Sequence, residues 1–143
     1  MFSNNRNDMR QFFFDTWQKA QNNQPLETLE HLVAEIIQQH PEYQAAINNP
    51  LASLQKEYFP EMGETNPFLH LGLHISLQEQ VGTNRPKGVT ALYQTLLGKF
   101  GDAHRVQHAM IECLAKSLHQ AQQDGGTPDE RRYVKCLRKI KRV

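Results

Sequence analysis

The stretch NPFLHLGLHISLQEQ, residues 66–80, decides how the rest of the chain is read. Asn66 followed by Pro67 is a helix start, because an asparagine caps the first unpaired N–H groups and proline suits the first turn. The spacing predicts a helix to about Val81. At 100° per residue, Gly72, Ser76, Glu79 and Gln80 fall in one narrow polar sector. His70 and His74 lie on the opposite side, flanked by Leu73, Leu77 and Val81, and so are expected to face the core. Glu79 falls on the polar side, away from them.

The same punctuation recurs along the chain. Met9, Phe12, Phe13, Trp17 and Ala20 form one stripe on a helix from about Asn7 to Gln21. Pro25 opens a second helix, whose stripe of Leu26, Leu29, Leu32, Val33, Ile36 and Ile37 ends near His40 and Pro41. Short helical turns follow in PEYQAAIN and NPLASLQKEY, the latter with Asn49 as cap, and FPEMGET reads as a loop. Val89, Leu92, Tyr93, Leu96, Leu97 and Phe100 mark the helix after residue 81. Gly101 ends it, and Asp102 caps a long helix to about Gln123. Thr127 and Glu130 have capping-box spacing, with Pro128 at the first helical position of a closing helix. No segment alternates as a strand does. The predicted class is all-α, a single-domain bundle of about six or seven helices spanning residues 1–143.

The 143 residues suffice to bury a core without disulfide staples. Cys113 and Cys136 are the two cysteines, and both sit in helical patterns, so no secreted disulfide framework is expected and a reducing, cytoplasmic setting fits. Cys113 reads as a core residue rather than a nucleophile. No run of about 18 apolar residues is present, so no membrane span is expected. The net charge of +1 hides an asymmetry: residues 1–130 carry 9 Lys/Arg against 15 Asp/Glu, while residues 131–143 carry seven basic groups and no acid. The basic helix of residues 127–143 puts Arg131, Lys135, Arg138, Lys139 and Arg142 on one face and Tyr133, Cys136, Leu137 and Ile140 on the other. Its apolar face can dock on the core with the cations solvated; alternatively, the cations can contact an acidic protein or RNA.

The other histidines sharpen the opening observation. His40 aligns with the inner face of the second helix, whereas His31 projects among Glu27, Glu30 and Glu35. His104, His108 and Glu112 form an i, i+4 row along the margin of the long helix, and side chains so spaced are neighbours. Two nitrogens from one helix can reach one ion, and a second helix can complete its shell; iron and zinc accept imidazole and carboxylate together. Unpartnered buried imidazoles would cost roughly 1–3 kcal/mol each. The candidate ligands are therefore His70, His74, His104, His108, Glu112 and His40, for a transition metal, Fe or Zn. The competing view is structural: His40 can close its own helix's C-terminus, and His108, Glu112 and Lys116 can form an ordinary polar ladder. No Walker loop, HExxH or nucleophile elbow is present, so no catalytic residue is assigned.

HPEY (residues 40–43), the 66–80 stretch with Arg85–Pro86, and HAMIECLA (residues 108–115) together resemble a bacterial family of unknown function, domain number eighteen forty-one of its series. The resemblance spans nearly the whole chain. It implies a small bacterial cytosolic protein and carries no activity. A looser analogy in site chemistry is to hemerythrin-like bundles, which hold two irons on His/carboxylate steps; the order and helix lengths differ.

Overall fold

Among the described residues, proline, asparagine and glycine punctuate the chain into eight helices. The computed structural model describes residues 6–59 and 66–142. The helices are α1 (Arg6–Gln21), α2 (Thr28–Gln38), α3 (Pro41–Ile47), α4 (Pro50–Ser53), α5 (Pro67–Thr83), α6 (Val89–Phe100), α7 (Ala103–Asp124) and α8 (Glu130–Arg142). Among the described residues there is no strand, and no helix is long and apolar enough to cross a membrane. The count exceeds six or seven because both short proline-led segments, α3 and α4, close helical turns. Most of the loop expected over residues 59–65 lies outside the described residues.

Two starts differ from expectation, and a third falls where expected but without its cap bond. The second helix begins at Thr28 rather than Pro25, because the Glu27 N–H donates to Glu30 Oε1 at 2.9 Å and fixes the first turn there. The last helix is capped by Asp129, whose Oδ1 accepts from the Arg131 and Arg132 N–H groups at 2.9 and 3.4 Å, so Thr127 lies outside it. Asn49 stands at the N-cap position of α4, but its side chain makes no capping bond. Two caps match expectation: Asn66 Oδ1 accepts from the Phe68 and Leu69 N–H groups at 3.0 and 3.2 Å, and Asp102 Oδ1 accepts from the His104 N–H at 3.0 Å. Gly101 and Gly125 end α6 and α7 at φ of 72° and 68°, a left-handed cap that a side chain would strain.

The chain divides into two compact units, residues 1–72 and 73–143, and the division falls inside α5. In the first, α1 buries Phe13, Phe14, Thr16 and Arg10, a face rotated from the predicted stripe, which leaves Met9, Phe12, Trp17 and Ala20 half-buried. Phe13 stacks on Phe68 at 6.3 Å between ring centroids, and Phe14 meets Phe68 edge-on at 5.8 Å. Arg10 is 1% exposed, and its Nη1 donates to the carbonyls of Ser53, Leu54 and Lys56 at 2.9, 3.1 and 2.8 Å. Carbonyls at a helix end lack intrahelical partners, and this cation supplies them. Its guanidinium also lies 4.6 Å from the Phe68 ring centre. An apolar stripe search misses such a residue because the group that buries it is polar. Lys19 on α1 pairs with Glu30 on α2 at 2.9 Å.

In the second unit, Leu73, Leu77, Val89, Leu96, Val106, Met110, Leu114, Tyr133 and Leu137 belong to one buried cluster. The apolar face of α8 is thus docked, with Leu137 fully buried, worth about 1.5–3 kcal/mol relative to exposure. The Tyr133 hydroxyl donates to Gln80 Oε1 at 2.6 Å, and burial pushes its pKa up to about 12. Arg131, Lys135, Arg138 and Lys139 are exposed; the Arg142 side chain lies outside the described residues. Cys113 is a core residue, as expected, but it is bonded to Cys136 in a disulfide that joins α7 to α8. The sequence did not anticipate that pairing. The two cysteines are 23 residues apart on different helices, and only the packing of α8 on α7 sets their Cα atoms 5.8 Å apart.

Candidate metal centre

Helix α5 sets the geometry. The Asn66 cap fixes where it begins, and the four-residue step then stacks His70 and His74 about 6 Å apart along one face. Of the two, His74 is fully buried and His70 half-buried. Ser76 and Glu79 are exposed, as the angular reading required.

In the first unit, His70 meets His40. His40 is 1% exposed at the junction of α2 and α3. Its Nδ1 lies 2.7 Å from the Ile36 carbonyl oxygen, which can only accept, so Nδ1 carries the proton. Its Nε2 faces His70, whose own Nε2 is 3.2 Å away. Tyr43 stacks on His40 with ring centroids 5.3 Å apart and meets His70 at 5.6 Å. Burial raises the Tyr43 hydroxyl pKa above its ordinary value, so the tyrosine remains neutral.

In the second unit, His74 meets α7. Its Nδ1 lies 3.0 Å from Gln107 Oε1, an acceptor, so Nδ1 again donates. The His108 ring is 5.0 Å from that of His74; His104 stacks on His74 at 5.7 Å and meets His108 at 4.0 Å. Glu112, one turn beyond His108, is exposed, and so is His31.

Thus His40 pairs with His70, and His74 groups with His104 and His108, while Glu112 stays apart from both. Two participants escaped sequence reasoning. Gln107 lies three residues after His104, a same-face step, but an amide carries no ligand signal of its own. Tyr43 sits in HPEY, where an aromatic beside a helix start reads as ordinary packing.

The chain is an all-helical protein with histidines concentrated on and around one buried helix. The family model described as "Domain of unknown function (DUF1841)" matches residues 5–139, and the chain belongs to that family. No curated protein and no solved structure gives a significant match.

Proposed function

We propose that this protein binds a transition-metal ion, zinc or iron, through His70 and His74 of α5 together with His40 and His108. The observation that carries this reading is that His70 and His74 stand one turn apart on α5, with His40 Nε2 3.2 Å from His70 Nε2 in the first unit and the His108 ring 5.0 Å from that of His74 in the second. Metal–nitrogen bonds of about 2.0–2.1 Å in a tetrahedron place ligand atoms about 3.3–3.4 Å apart. The His40–His70 separation of 3.2 Å is close to such an edge. The hydrogen bonds support the same reading. Ligating histidines characteristically donate their other N–H to a carbonyl or carboxylate, which fixes ring and tautomer. The Ile36 carbonyl holds His40 in this way, and the Gln107 amide oxygen holds His74.

Four neutral imidazoles leave an ion its full positive charge and suit zinc, copper, nickel or iron rather than magnesium or calcium. A tetrahedral ion would have its shell filled, whereas a six-coordinate ion would keep two positions for small ligands. His104 stands beside His74 and His108 as a neighbour able to replace either, and Glu112 is the more remote candidate. Cobalt(II) titration of metal-free protein tests the reading. Visible absorption saturating near one equivalent, absent from the His70→Ala/His74→Ala variant, is the supporting result. Absence of saturable binding would overturn it.

A second reading rests on the exposed cations of α8, Arg131, Lys135, Arg138 and Lys139. They form a face suited to an acidic protein or RNA. Binding to a polyanion that weakens steeply with salt would support that use.

A further inference from the structure

The Cys113–Cys136 disulfide lies in the wall of a cleft of about 570 Å³ formed by α7, α8 and the turn between them. That size falls within the usual range for small-molecule sites. The cleft is positively charged: Lys116, Arg132, Lys135 and Lys139 line it against Asp124 and Asp129. Both carboxylates are engaged locally, Asp129 by Arg132 at 3.8 Å and Asp124 by the Gln120 amide at 3.2 Å. Among the described residues, Lys116, Lys135 and Lys139 form no ion pair.

The two sulfurs are not equivalent. Cys113 is 4% exposed and packed in the core, whereas Cys136 is half-buried on the α8 side. In-line attack therefore reaches the Cys136 sulfur more readily. Lys116 is three residues beyond Cys113 on α7, and Lys139 is three beyond Cys136 on α8, so each sulfur has a cation on its own helix face.

We propose that this cleft is a thiol–disulfide exchange site for a small thiol that carries carboxylates. The ligand's thiolate forms a bond to Cys136 Sγ, and the Cys113–Cys136 bond breaks. The electron pair leaves on Cys113 Sγ, which takes a proton from solvent. The product is a mixed disulfide on Cys136 and a free thiol at Cys113, with no further oxidant or reductant. The cleft's cations hold the ligand's carboxylates and draw in the attacking thiolate. This site is independent of the histidines.

The test uses full-length oxidised protein. It is mixed with glutathione (anionic), 2-mercaptoethanol (neutral) or cysteamine (cationic) at equal thiolate concentration, alkylated at intervals and mapped by peptide mass spectrometry. The expected result is an adduct on Cys136 with Cys113 alkylated. Glutathione should react about tenfold faster than 2-mercaptoethanol, and cysteamine slowest, in line with the effect of a charged cleft on encounter. In the Lys135→Gln/Lys139→Gln variant, or in high salt, the glutathione advantage should fall to about twofold. Both substituted side chains are exposed, so the variant should keep its fold. An adduct on Cys113, equal rates for the three thiols, or failure of the two cysteines to bond in the presence of oxidised glutathione would each overturn the proposal.

Discussion

Replacing Gln107 with leucine removes the partner of His74 Nδ1 while keeping the side chain's bulk. Gln107 is buried, His74 is fully buried, and 3.0 Å separates the two polar atoms. In the variant, the donor must either stay unpaired, at about 1–3 kcal/mol, or move its proton to Nε2. The second course places hydrogen where the ion would bind. Both act against metal binding, and loss of such a partner typically lowers affinity by about 10–100-fold, or roughly 1.4–2.7 kcal/mol. The assay is competition for zinc between metal-free protein and a chromophoric chelator, with helical content followed by circular dichroism. Gln107→Glu is the matched control, since a carboxylate accepts the same hydrogen bond and should hold affinity at or above the wild-type level. Zinc affinity within twofold of wild type in a folded Gln107→Leu protein would refute the role assigned to this pair.

Other perturbations test the frame around the site. Arg10→Met leaves three α4-end carbonyls without their shared donor and should cost about 2–4 kcal/mol in urea denaturation; an unchanged midpoint would contradict the anchoring role. Leu137→Ala empties a fully buried position and should cost about 2–5 kcal/mol. The Glu30 carboxyl is held below its ordinary pKa by the Glu27 N–H and then by Lys19, and Glu57 by Arg6. Because folding depresses these pKa values, the stability they add is present above the ordinary carboxylate range and is lost as pH falls through the depressed values. Acid titration of unfolding should therefore show falling stability below about pH 4–5, and Glu30→Gln should flatten the slope.

Much of the fold was legible because its signals are local. Asn66 and Asp102 cap as their positions suggest, and Gly101 closes α6 through its own backbone freedom. Pro25 and Thr127 misled because competing side chains nearby, Glu30 and Asp129, accept the decisive hydrogen bonds. Within the candidate site, the angular placement of His70 and His74 on α5 could be read from spacing alone. The meeting of His40 with His70, and of His74 with His104 and His108, depends on which helices pack, which no local pattern encodes. The disulfide was missed for the same reason. Arg10 was missed because its burial depends on carbonyls more than 40 residues away, and a hydrophobicity pattern does not register them.

Metal content of the protein as purified is the most direct measurement. Untagged protein prepared without chelator would be analysed for zinc, iron, manganese, nickel and copper beside the His70→Ala/His74→Ala variant. Close to one ion of zinc or iron per chain is expected, lost from the variant together with the folding stability a bound ion adds. Metal-free wild-type protein that also fails to take up added zinc, or equal metal in both proteins, would contradict it.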